Sequence, residues 1–182
     1  MFNDIDFRKH GMLRLNDDMK INPSVFDGEA LIGDLMKEGG LDVAGVSRTN
    51  KGLYFVYYEG VGRPSFLEIG TGGFFKGKDP NVSISELNSR WVDDSDILYI
   101  GQTNRTLYER IDEYMKFGQG KAIGHVGGCL IWQIEESRKL RLRWMIWPKD
   151  SKIDLKPEQE EKRLLRVFKN EYGKYPFANG RL

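Results

Sequence analysis

At 182 residues, with 40% hydrophobic and 30% charged side chains, the chain has the size and composition of one soluble globular domain with a sizeable core. No apolar run approaches a bilayer span and Met1-Phe2-Asn3-Asp4 lacks the order of a secretory leader, so neither is expected and the expected location is cytoplasmic. A single cysteine, Cys129, excludes an internal disulfide, and with only His10 and His125 beside it a structural zinc site is not expected. Lys and Arg number 28 against 27 acids, a net charge of +1, so a nucleic-acid surface requires that charge be segregated along the chain.

Residues 1–19 are polar and weakly patterned, an irregular arm or a short strand. Asp27 is placed to cap a helix through Ala30, Leu31, Leu35 and Met36, closed by Gly39 and Gly40. After Gly52, residues 53–58 are aromatic and β-branched and predict a strand. Phe66, Leu67, Glu68 and Ile69 suggest a further strand before a glycine-rich loop over 70–78. Gly72, Gly77 and Lys78 imitate a phosphate-binding loop, but Asp79 and Pro80 stand where a hydroxyl and a helix are needed. That leaves nucleotide binding there as a minor alternative to a flexible loop. Ser83 or Ser85 caps a short helix to Trp91, followed by the acids Asp93, Asp94 and Asp96.

Ile97, Leu98, Tyr99 and Ile100, stopped by Gly101, form a short strand apolar on both faces. Thr106 with Glu109 is a capping-box signature that starts a helix running to about Phe117. On it Leu107, Ile111, Tyr114 and Met115 share a face, with Arg110 at the edge, where its fork suits a phosphate. Residues 117–128 are glycine-rich, so backbone can approach a ligand there, with Lys121 and His125 as the titratable groups. Residues 129–134, apolar except for Gln133, predict a buried strand, with residues 139–147 as its hairpin partner. In the partner, Leu140, Leu142, Trp144 and Ile146 alternate with Lys139, Arg141, Arg143 and Met145: one face core, the other basic, either solvated or phosphate-contacting.

The last helix opens at Pro157 and reaches Tyr172, with Leu164, Leu165, Phe168 and Tyr172 as its buried stripe. One turn back from Leu164 and Leu165, Glu161 falls on the inward face, whereas Glu158 and Glu160 are expected to point away. An inward carboxylate is costly unless it is paired or holds a metal; a first-turn glutamate favoured by the helix dipole is the alternative. Pro176 and Asn179 lie in a terminal turn.

Gly52-Leu53-Tyr54, Tyr99-Ile100-Gly101, Arg110, Glu161, Pro176 and Asn179, in this order, resemble the signature of the GIY-YIG nucleases over roughly residues 52–179. Leucine replaces isoleucine in the first motif, and Tyr114 stands where family members carry His or Tyr. The two motifs normally lie on strands joined by a short connection, so residues 61–96 are expected to be an insertion. The resemblance implies an α/β fold with a small mixed, mainly antiparallel central sheet flanked by helices. It divides the chain into residues 1–50, an extension with one helix packed on the core, and a catalytic domain over 51–182.

It further implies a metal-dependent endonuclease acting on DNA, with Tyr54, Tyr99, Arg110, Glu161 and Asn179 as catalytic residues and Glu161 as ligand of Mg²⁺ or Mn²⁺. Arg110 neutralises the phosphate, and Tyr54 is the general base beside Tyr99, roles the residues alone do not separate. Asn179 either supplies an amide to the site or pins the terminal turn. Gly101, Tyr114, Lys121, His125, Arg141 and Arg143 are candidates for substrate contact. The partner implied is DNA and, where two sites act together, a second copy of the chain. A binding module on the same fold without catalysis is the alternative, favoured by the near-neutral charge.

Overall fold

The computed structural model describes residues 25–124, 127–148 and 155–180. Its frame is a four-stranded sheet of β1 (Gly28–Leu31), β2 (Gly52–Tyr57), β3 (Ile97–Thr103) and β4 (Arg141–Ile146), in the order β1-β4-β2-β3. Each neighbouring pair is antiparallel. Helices α1 (Ile32–Leu35), α2 (Gly40–Val43), α3 (Ile84–Arg90), α4 (Leu107–Gly118) and α5 (Pro157–Tyr172) surround it. Among the described residues no helix is long and apolar enough to cross a membrane.

All six residues of β2 are buried, because the strand serves two cores. Tyr54 and Val56 face one of them, with Leu107, Ile111, Tyr114 and Met115 of α4. Leu53, Phe55 and Tyr57 face the other, with Leu164 and Phe168 of α5. Burying a side chain the size of Leu164 or Phe168 contributes about 2 kcal/mol, and the stripe of α5 is spaced to place both on one face.

The two long helices start where local chemistry predicts. The Thr106 hydroxyl accepts the Glu109 N–H at 3.1 Å while the Glu109 carboxylate accepts the Thr106 N–H at 3.2 Å. Pro157 occupies the first turn of α5, and Gly173, at φ 72°, closes it. The Ser83 hydroxyl accepts the Glu86 N–H at 3.2 Å and opens α3.

Other expectations need correction. The segment after Asp27 enters the sheet as β1, so this part of the 1–50 extension completes the frame; the expected helix is reduced to the single turns α1 and α2 that follow it. Asp27 caps no helix, and its carboxylate accepts the Ile146 N–H at 2.7 Å. Residues 129–134 are buried, yet Cys129–Gln133 is a 3-10 turn, because a continuous apolar run does not distinguish helix from strand. β4 therefore has no hairpin partner there and pairs with β1 and β2. Residues 66–69 form only an isolated bridge, Phe66 to Ile134. β3 continues through Gly101 to Thr103 and lies at the sheet edge rather than the centre. Residues 1–19 lie outside the described residues.

The 61–96 segment is sewn to the core. Buried Gln133 accepts the Val82 N–H at 2.9 Å and donates to the Val82 and Leu67 carbonyls at 2.8 and 3.1 Å. Arg63 makes a bidentate pair with Asp93 at 2.7 Å. The glycine-rich loop docks on the end of α4, Gly73 N–H donating to Phe117 O at 2.9 Å. The next helix begins only at Ile84, so the strand-loop-helix setting of a phosphate-binding loop is missing.

Candidate functional site

The register of β2 and β3 builds the site. Tyr54 lies opposite Gly101 and Val56 opposite Tyr99, which puts the two tyrosines diagonally on the α4 face. Their rings are 5.8 Å apart, and Tyr114, one turn along α4 from Arg110, lies 6.0 Å from each. A Cβ on Gly101 would come within 2.5 Å of the Tyr54 ring. Gly101 is thus the space the Tyr54 phenol occupies, rather than the exit from a strand.

The capping box aims α4 so that Arg110 reaches the Tyr54 hydroxyl, with Tyr99 close enough to act on its charge. Hydrogen bonding from Tyr99 and from Arg110 both favour the Tyr54 oxygen as an acceptor. Arg110 has one acidic neighbour on its helix, Glu113, at 3.6 Å. That carboxylate is held closer by Arg105, at 2.8 and 2.6 Å, which leaves the Arg110 fork largely uncommitted. The 127–128 backbone closes the other side: a Cβ on Gly127 would lie 2.5 Å from the Tyr99 hydroxyl and 3.8 Å from Arg110.

Glu161 enters from α5 and shares this electrostatic environment, since Arg110 opposes its shift and its charge is felt at Tyr54 and Tyr99. Burial pushes its carboxyl up to about 7, with Glu158 adding to the shift. Among the described residues it makes no hydrogen bond or ion pair. A half-buried carboxyl raised in this way is a candidate for a functional group.

Burial also raises all three phenols, Tyr99 and Tyr114 well above the ordinary range. The two strand tyrosines are nevertheless unequal. Arg110 and the Tyr99 hydroxyl oppose the rise at Tyr54, whereas at Tyr99 its neighbours Tyr54, Tyr114 and Glu161 add to it. Arg110 is disfavoured by burial, yet the phenols and Glu113 hold it above its usual value, so it stays charged.

Asn179 is a structural clamp. Its side-chain carbonyl accepts the Ile100 N–H at 2.9 Å and its amide donates to Ile100 O at 2.8 Å. With Ala178 N–H on Leu98 O at 2.8 Å, the tail covers the open edge of β3. The sequence offered an amide for the site or a pin for the terminal turn; the side chain is seen pinning the tail to β3.

Four other candidates are placed differently. Tyr114 is fully buried and its hydroxyl donates to Gly128 O at 2.9 Å, so it supports the site from beneath instead of meeting substrate. Lys121 lines a cleft with Tyr108, Asp112, Lys116 and Gln119 on the face of α4 opposite Arg110. Arg141 and Arg143 stand on the α5 face of the sheet, away from the tyrosines. Both are bound by Glu29 and Glu59: Arg141 at 3.1 Å to each, Arg143 at 2.7 and 3.1 Å. The basic ribbon is therefore an ion-pair network. His125 lies outside the described residues.

Two residues escaped the sequence reading. Glu160, expected to point outward, is 1% exposed and pairs with Arg163 at 2.7 and 2.9 Å. The three-residue spacing of acid and base was the available signal. Gln102, next to Gly101 and on the strand face that α5 covers, has a buried side-chain oxygen without a hydrogen-bond partner. Strand parity with Ile100 could have pointed to it.

The donor set can be tested against a metal. Among the described residues no group of three or more His, Cys, Asp or Glu converges, so a cage supplied entirely by such side chains is not built. One carboxylate without a partner among the described residues fits a hard cation that keeps most of its own waters, as Mg²⁺ does.

No protein-family profile, curated protein or solved structure matches the chain.

Proposed function

We propose that this chain is a divalent-cation-dependent endonuclease that hydrolyses phosphodiester bonds in DNA with a site of the GIY-YIG kind. The observation that carries the reading is the convergence of Arg110 and Glu161, from helices on opposite sides of the sheet, on the adjacent phenols of Tyr54 and Tyr99.

Hydrolysis forms a bond from water oxygen to phosphorus, breaks a phosphorus–oxygen ester bond and removes one proton from the water. Glu161, ionised, would hold Mg²⁺ or Mn²⁺, and that cation would supply positive charge for the non-bridging oxygens. Arg110 adds a bidentate donor to the same oxygens as negative charge builds on them.

Tyr54, as phenolate, accepts the proton of the attacking water, and the departing ester oxygen takes a proton from solvent water. Tyr99 and Arg110 oppose the desolvation that raises Tyr54, which favours it over Tyr99 as the base. Tyr99 orients it, Tyr114 fixes the Gly128 carbonyl beneath, and Asn179 holds the strand that carries Tyr99.

One observation favours a second reading, a DNA-binding module without catalysis: burial keeps both phenols above their ordinary pKa. Incubating purified protein with supercoiled plasmid, with and without Mg²⁺ or Mn²⁺, separates the two. Nicking that needs the cation and disappears in Glu161→Ala supports the enzyme. Retention without nicking supports the module, and cleavage unchanged in Glu161→Ala disposes of the proposed mechanism.

A further inference from the structure

A cleft of about 350 Å³ runs between α5 and the 175–180 tail, lined by Lys162, Leu165, Arg166, Tyr175 and Gly180. Both banks begin one residue from the site. Lys162 follows Glu161, and Gly180 follows Asn179, whose amide holds Ile100 between Tyr99 and Gly101. Each wall of the cleft thus belongs to a segment that also carries Glu161 or Asn179.

Its chemistry is cationic and aromatic. Lys162 and Arg166 are one helical turn apart, with Lys169 three residues on. Lys162 is paired with Glu158 at 2.5 Å, whereas Arg166 has no acidic partner among the described residues. The Lys169 ammonium lies 4.8 Å from the centroid of the Tyr175 ring, and Tyr175 is 40% exposed, unusual for a large aromatic side chain. A Cβ on Gly180 would meet that ring at 2.9 Å, so the tail backbone packs against it and steadies it. Arg63, Arg105, Arg141 and Arg143 are each neutralised by carboxylates. On this flank Arg166 keeps its charge without an acidic partner among the described residues.

We infer that this cleft holds an unpaired strand of the DNA substrate beside the scissile phosphate, with a phosphate on Arg166 and a base stacked on Tyr175. The inference rests on the nuclease reading and goes beyond it by naming a substrate with a single-stranded flank. A paired base keeps its faces inside the duplex, so an exposed ring next to a free guanidinium suits a splayed nucleotide. The volume is at the small end of ligand clefts, about 300–1000 Å³, which fits a single nucleotide unit.

The test is fluorescence anisotropy in EDTA, with a labelled blunt duplex and the same duplex carrying a single-stranded extension. The extension should tighten binding about tenfold, the order expected from one base stacked on an aromatic ring. Arg166→Ala should lower the salt slope for the extended duplex by about 0.7, the share of one single-strand phosphate. Tyr175→Ala should remove the gain from the extension while Tyr175→Phe keeps it. Equal affinity for both duplexes, an absence of binding, or variants that bind the extension as the wild type does would each overturn the inference.

Because the assay contains no free divalent cation, it is independent of Glu161 chemistry. A cleft that fails leaves plasmid cleavage as the separate measure of the nuclease. A cleft that binds as stated, without plasmid cleavage in Mg²⁺, refutes the nuclease alone.

Discussion

Two arginines stand beside tyrosines on opposite faces of the same sheet, and they are suited to different work. Arg110 lies against Tyr54 and Tyr99, with its nearest carboxylate 3.6 Å away and engaged by Arg105. Arg143 sits over Tyr57, 4.5 Å from the ring centroid, but Glu29 and Glu59 grip it at 2.7 and 3.1 Å. The first guanidinium keeps hydrogen-bonding capacity for an incoming anion, and the second has spent its own on the protein. An arginine near an aromatic ring is therefore no sign of a site until its acids have been counted, and those acids are remote in sequence.

The sharpest way to break this contrast is to remove the charged groups beside Tyr54 and Tyr99. Arg110→Ala or Glu161→Ala should lower cation-dependent plasmid cleavage by about a thousandfold or more, the scale of losing a main transition-state charge partner. The circular dichroism spectrum should stay that of the wild type. Loss of activity together with loss of fold would leave the two arginines indistinguishable and end the comparison.

Glu161 sharpens the comparison through pH. Its folded pKa of about 7 lies above the 4.5 of an unperturbed carboxyl, so the folded state holds the extra proton between those values. Stability then falls as pH rises from 4.5 to 7, and the loss is complete above that window. Glu161→Gln should be more stable than the wild type at pH 8 by about 2 kcal/mol, discounted for partial solvent contact. Near pH 4 the two should match, as read by urea denaturation. Mg²⁺ needs the ionised carboxyl, so its stabilisation of the wild type against heat should grow from pH 6 to pH 8. A difference between the proteins that ignores pH would show that Glu161 carries no buried charge.

Asn179→Ala should cost about 2 kcal/mol in urea denaturation, because it leaves both backbone groups of Ile100 without partners. Cleavage should fall with it, since the same clamp holds the strand of Tyr99. The smallest effect belongs to the sealed arginine. Arg143→Ala should cost about 1 kcal/mol of stability and change cleavage less than about twofold. A large loss of cleavage in Arg143→Ala would mean that the ribbon does meet substrate.

The elements that read most faithfully are those written in local chemistry. Thr106 with Glu109, the serines at 83 and 85, and Pro157 each announce a helix within a few residues, and the stripe of α5 places Leu164 and Phe168 on one buried face without any knowledge of the sheet. Residues 129–134 misled because burial on all sides erases periodicity, and a 3-10 turn then looks like a strand. Glu160 misled because its cost of burial is met by Arg163 on the same helix.

The sequence by itself determined where α4 and α5 begin, which of their faces are apolar, and that a tyrosine strand runs into a glycine. Those properties depend on neighbours within one or two turns. Only the tertiary structure decided that Gly101 is the berth of the Tyr54 ring, that Asn179 clamps Ile100, and that Glu29 and Glu59 silence the basic ribbon. Each of these joins residues tens of positions apart, and pairings at that range are set by strand register and packing, which composition and periodicity do not encode.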